Sequence, residues 1–179
     1  EKPESPVGLP DDPGRALASM GIYVFPAELL YEELAHDAAN RESTHDFGRD
    51  IIPSLVHRRQ VFAHDFGLSC VSNGGLAPYW RDVGTVDAYW EASIDLTRVI
   101  PELNLYDPGW PILTANQPRP PAKFVFSEHD RRGIALDSLV SSGCIVSGGA
   151  VQRSLLSTNV RVHSYADVQD SVVLPDVTI

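Results

Sequence analysis

The chain has 179 residues, of which 43% are hydrophobic and 21% charged, with 14 Pro and 13 Gly. That composition suits one folded domain, or one and part of another, and excludes a disordered or collagen-like chain. The formal charge of −10, from 14 Lys and Arg against 24 Asp and Glu, argues against nucleic acid as a partner, because nonspecific DNA or RNA binding needs a cationic field.

No run approaches the ~18 uninterrupted apolar residues of a membrane-spanning helix, so no membrane partner is expected. No basic and apolar leader opens the chain, and only Cys70 and Cys144 are present. Two cysteines make neither a disulfide framework nor a zinc site, and a reducing cytoplasm fits best. The chain begins at Glu1 without an initiator Met and stops at Ile179 inside a periodic pattern. A segment of a longer polypeptide is therefore expected.

Residues 3–14 are rich in Pro and Gly and read as a loop. Ala18 to Phe25 is a β-rich apolar run that reads as a buried strand. Pro26 suits a first helical turn, and Leu29, Leu30 and Leu34 with Glu28, Glu32 and Glu33 give an amphipathic helix over 26–38. Asp46 is an N-cap candidate for a second helix carrying Ile51, Ile52, Leu55 and Val56, with Pro53 in it. Residues 60–71 suggest one or two short strands, 72–75 a turn, and Tyr79 to Val83 a short strand. Thr85 then caps a third helix through Val86, Tyr89, Trp90 and Leu96. Alternating strands and helices give an α/β or mixed first part, over residues 1–100.

Six of the fourteen prolines fall in 101–121, which reads as an extended linker. The charge balance changes there too, from 9 basic and 18 acidic residues over 1–120 to 5 and 6 over 121–179. Beyond it Val140, Val146, Val151, Leu156, Val162, Val168, Val173 and Ile179 recur at steps of five or six, beside a second column through Cys144, Ala150, Leu155, Val160 and Ala166. A period near six is neither 3.6 nor 2. It indicates a hexapeptide β-helix over 122–179, with coils of about eighteen residues, each strand sending one aliphatic side chain inward. The alternative is an irregular β-sandwich.

Few residues point to chemistry by type and place. Lys2 can meet a phosphate as a point charge, and Glu1 can accept from sugar hydroxyls, although a solvated pair explains both. Ser19, before Met20 and Gly21, allows a ligand close to the backbone, or bonds the backbone at a strand entry. Asp82, between a strand and a helix, sits where α/β folds place ligand-binding groups and is a hard ligand suited to Mg²⁺; otherwise it is a turn former. None of the six histidines has metal-ligand spacing, and His45 beside Asp46 makes a catalytic pair only superficially.

Taken in order, Glu1-Lys2-Pro3, the Ser19-Met20-Gly21-Ile22-Tyr23-Val24-Phe25 string, His45-Asp46-Phe47-Gly48, Tyr79-Trp80-Arg81-Asp82-Val83-Gly84-Thr85 and Ala122-Lys123-Phe124-Val125 form one pattern. It resembles the bacterial glucose-1-phosphate adenylyltransferases, or ADP-glucose pyrophosphorylases, over nearly the whole chain. The resemblance implies the C-terminal part of a Rossmann-like nucleotidyltransferase domain followed by a left-handed parallel β-helix. It implies formation of ADP-glucose and pyrophosphate from ATP and glucose 1-phosphate in glycogen biosynthesis, by an allosteric homotetramer. Lys2 would hold the sugar phosphate, Glu1 and Ser19 would contact the glucose, and Asp82 would be the catalytic carboxylate, one of two aspartates on Mg²⁺. The family's Gly-rich nucleotide loop and its other Mg²⁺ aspartate have no counterpart here, so the segment alone is expected to be inactive. Rival readings are a transferase for another sugar phosphate, a non-catalytic regulatory subunit of the same fold, and a hexapeptide acyltransferase using His163.

Overall fold

Residues 6–69, 78–115 and 117–179 are described in this computed structural model. Glu1, Lys2, Cys70 and the expected turn at 72–75 lie outside the described residues. The chain divides into two units, one ending at His64 and the other beginning at Asp65.

In the first unit, helix α1 runs Ala27–Ala39, directly after Pro26. A π-helical turn at Phe47–Ile51 leads into α2, Ile52–Arg58, with Pro53 in its first turn, where a missing N–H costs little. Asp46 caps this helix as its residue type predicts, accepting from the Gly48 and Arg49 amides at 2.8 and 2.9 Å. The helices are tied by Arg58, which reaches back with 3.2 and 2.7 Å bonds to both carboxylate oxygens of buried Glu33. Ile51 and Leu55 supply the buried apolar contacts.

The expected buried strand over 18–25 is corrected. Its residues keep an alternating pattern, with Tyr23 and Phe25 half-buried and Ile22 and Val24 72% and 97% exposed, but they pair with no strand. A strand needs a neighbouring backbone for its N–H and C=O groups, and no described residue offers one. The strands expected within 60–71 and at 79–83 are likewise absent among the described residues; only a 3₁₀ turn, Phe66–Leu68, forms there.

The second unit holds α3, Val86–Asp95, whose cap Thr85 accepts from the Ala88 amide at 3.2 Å. No helix or strand forms among the described residues of 101–121. The coils follow. One face comprises β1 (Lys123–Val125), β6 (Ile145–Ser147) and β9 (Arg161–Val162). A second comprises β4 (Ile134–Leu136), β7 (Ala150–Gln152) and β10 (Asp167–Gln169). The third comprises β5 (Leu139–Val140), β8 (Leu155–Leu156) and β11 (Val172–Val173). Every pairing within these faces is parallel, which makes a three-sided β-helix.

Its core is the aliphatic column read from the sequence. Val146, Val151, Leu156, Val162, Val168 and Val173 are buried, joined by Cys144 and Val160. The coil is shorter than expected: Ile134 lies opposite Ala150, 16 residues on, and Ala150 opposite Asp167, 17 on. Steps of five at the corners account for the difference. The first turn is longer, with Lys123 opposite Ile145, because an antiparallel hairpin of β2 (Ser127–Glu128) and β3 (Arg131–Arg132) is inserted. Arg131 lies 3.5 Å from the centre of the Phe126 ring and donates to Ser164 Oγ at 3.0 Å, which fastens the hairpin to the coils. Gly133 follows it where a Cβ would collide with the carbonyl oxygens of Val125 and Val146.

Candidate functional site

In the first unit the chain turns at Gly21, whose φ of +73° is the left-handed conformation that glycine adopts freely. The turn lets Ser19 Oγ accept from the Gly21 amide at 3.2 Å and lie 3.0 Å from the Tyr23 hydroxyl. Tyr23 and Phe25, two apart in an extended segment, face the same side. Tyr23 stacks on Phe47 with centroids 6.1 Å apart, and Phe25 meets both rings at 6.1 and 6.4 Å.

This aromatic group floors an open cleft of about 510 Å³ whose rim includes Gly21, His45, Asp46 and Gly48. A largely apolar floor with a few polar groups at the edge suits a ligand with a flat apolar face and hydroxyls, such as a sugar.

The rim is latched by two carboxylates. Asp37, on α1, accepts from Ser43 Oγ at 2.6 Å and pairs with His45 Nδ1 at 2.8 Å. Asp50 accepts from Thr44 Oγ1 at 2.6 Å and from the Asp46 amide at 3.1 Å. The Ser43 hydroxyl, then the His45 ring, hold the Asp37 carboxyl below its ordinary range. The Thr44 hydroxyl, then the Asp46 amide, do the same for Asp50. His45 thus bonds to Asp37, not to its neighbour Asp46.

Asp82, in the second unit, is exposed at the turn before α3, where its Oδ1 accepts from the Gly84 amide at 3.0 Å. Its other oxygen has no hydrogen-bond partner among the described residues. That fits one hard ligand for Mg²⁺, but no group of three His, Cys, Asp or Glu side chains able to hold a metal occurs among the described residues. The fit is that of a single carboxylate. Arg81 pairs with Glu102 at 2.9 Å.

Of the sequence candidates, Ser19 borders the cleft of the first unit and Asp82 belongs to the second, while Glu1 and Lys2 are not among the described residues. Sequence reasoning missed Tyr23, Phe47 and Asp46 as cleft residues. The signal available was the two-residue spacing of Tyr23 and Phe25. Nothing in the sequence pairs His45 with a carboxylate eight positions upstream.

Residues 1–99 match the family model described as nucleotidyl transferase. The chain belongs to the nucleotidyl transferase family. Residues 120–179 match a second model, the GlmU-like C-terminal hexapeptide, in agreement with the coils. This nucleotidyl transferase chain is 59% identical over 179 residues to the glucose-1-phosphate adenylyltransferase of Dechloromonas aromatica, covering all of this chain and 41% of that protein. It is 62% identical over 176 residues to that of Rhodospirillum rubrum, covering 98% of this chain and 42% of that protein. With that of Nitrosomonas europaea the identity is 58% over 180 residues, covering 100% of this chain and 42% of that protein. The chain therefore spans about two-fifths of the length of the curated relatives it matches. No helix among the described residues is long and apolar enough to cross a membrane.

Proposed function

We propose that this chain is the sugar-phosphate-binding part and first coils of a glucose-1-phosphate adenylyltransferase, which forms ADP-glucose and pyrophosphate from ATP and glucose 1-phosphate. The observation that carries this reading is identity of 58–62% along essentially the whole chain to proteins of that name. The cleft beside Ser19 supports it: the ring of a sugar can lie against Tyr23 and Phe47 while its hydroxyls meet the Ser19–Tyr23 pair and the Asp46 rim.

The reaction joins two anions, so positive charge is needed where they meet. Lys2 supplies it on the sugar phosphate, with Glu1 and Ser19 orienting the glucose. The phosphate oxygen attacks the α-phosphorus of ATP, and pyrophosphate departs. Asp82 offers one carboxylate to Mg²⁺, with further ligands from outside the described residues; bound there, Mg²⁺ would supply charge stabilisation to the transferring phosphoryl group. The acidic net charge is no obstacle, since the local field decides. A cytoplasmic homotetramer, under metabolite control and feeding glycogen synthesis, is part of the same proposal.

The test is pyrophosphate release by the complete polypeptide against a panel of nucleotides and sugar phosphates. ATP with glucose 1-phosphate is expected to be strongly preferred. Preference for another nucleotide or sugar phosphate would point to a different transferase, and no turnover with any pair to a regulatory subunit.

A further inference from the structure

Asp82 is flanked on both sides by bonds that end on the same helix. After it, the Gly84 amide binds its carboxylate and Thr85 caps the first turn of α3. Before it, Arg81 reaches Glu102 through Nη2 at 2.9 Å and Nε at 3.3 Å. The Glu102 amide in turn donates to Asp95 Oδ2 at 2.9 Å, at the last turn of α3. Asp95 is only 8% exposed, and its other oxygen takes Arg98 Nη1 at 3.0 Å. Burial pushes the Asp95 carboxyl up, but the Glu102 amide and Arg98 outweigh it and hold the group below its ordinary range, as an anion.

Exposure alternates along this stretch: Tyr79 and Arg81 are half-buried, Trp80 and Asp82 exposed. Glu102 holds the Arg81 side chain on the half-buried side of this stretch, while Asp82 lies on its exposed side. We propose that Arg81 is a positioning residue for Asp82, acting through the Arg81–Glu102–Asp95 chain to fix the carboxylate's direction on α3. The inference rests on the reading of Asp82 as a functional carboxylate. Both members of the Arg81–Glu102 pair keep access to solvent, so the pair contributes little to stability and its loss is expected to alter geometry, not folding.

The experiment uses the complete polypeptide with Arg81→Met, Arg81→Lys, Glu102→Gln and Asp82→Ala, and Arg81→Met combined with each of the last two. Arg81→Met and Glu102→Gln are each expected to lower kcat about tenfold, with KM for glucose 1-phosphate within about twofold, as a small misplacement of a reacting group does. Their combination is expected to be no worse than either alone, and Arg81→Lys to recover most of the rate. In the Asp82→Ala background, Arg81→Met is expected to cost nothing further, which a general structural role would not produce. Mn²⁺ titrated into the protein and followed by electron paramagnetic resonance is expected to bind several-fold more weakly to Arg81→Met, at an unchanged melting temperature. Wild-type kcat and Mn²⁺ affinity in Arg81→Met would overturn the inference, as would an equal loss with and without Asp82. Wild-type turnover in Asp82→Ala would instead remove the reading of Asp82 itself.

Discussion

Trp90 Nε1 donates a 2.8 Å hydrogen bond to the backbone carbonyl of Asp170, joining two residues 80 positions apart. Asp170 occupies a coil corner at φ +46°, and its carboxylate takes both Nε and Nη2 of Arg153 at 2.8 and 2.7 Å. Helix α3 is thus fastened to the outside of the β-helix beside β11, and the turn that carries Asp82 is fastened with it.

Trp90→Phe keeps most of the ring and removes the donor. It is expected to destabilise the second unit by about 1 kcal/mol, since the exposed carbonyl can turn to water instead. Arg153→Ala is expected to cost less than Trp90→Phe, because both partners of that pair are half-exposed and water screens their attraction. Urea unfolding monitored by circular dichroism would measure both. A larger loss in Arg153→Ala than in Trp90→Phe would contradict this ranking.

The coil interior makes a sharper demand. Leu156 is fully buried, and Leu156→Ala is expected to cost about 2–5 kcal/mol, whereas Leu136→Ala, at a position 52% exposed, should cost far less. Gly133→Ala is expected to destabilise by about 1–3 kcal/mol or more, since the added Cβ meets backbone oxygens that cannot move aside. The same unfolding curves decide it, and an unaffected midpoint for Leu156→Ala would be incompatible with the coil core.

The rim latch gives a pH dependence of definite sign. Asp37 and Asp50 both have carboxyls held below their ordinary range in the folded state. The unfolded state therefore binds protons first as pH falls. The stabilisation is fully present above the ordinary carboxylate value of about 3.9 and is lost as pH drops through the lower folded values. Asp37→Asn and Asp50→Asn are expected to flatten the acid limb of the melting temperature against pH. An acid limb identical to wild type in both variants would show that the latch does not form.

How far the sequence carried these features depends on how local their causes are. The caps at Asp46 and Thr85 and the helix after Pro26 were legible because a side chain bonding an amide two or three residues on is a short-range event. The coil column was legible because each buried aliphatic repeats one local environment. The 18–25 segment shows the opposite case: its apolar run suggested a buried strand, but pairing needs a second backbone, which no local pattern specifies. The hairpin at 127–132 escaped because two-residue strands carry no periodicity, and the coil length because corner steps of five and six alternate irregularly. Beside the cleft, the bond between Ser19 Oγ and the Gly21 amide was legible from its neighbours. The Asp37–His45 pair and the Arg81–Glu102 bridge were not, because their partners lie eight and 21 positions away.

The most direct test is the saturation of pyrophosphate release by glucose 1-phosphate in the complete polypeptide carrying Lys2→Ala. Loss of a charged phosphate contact is expected to raise KM for glucose 1-phosphate at least tenfold while kcat changes little, because about 1.4 kcal/mol of binding corresponds to each factor of ten. A KM equal to that of the unaltered protein would mean that this part of the chain does not hold the sugar phosphate.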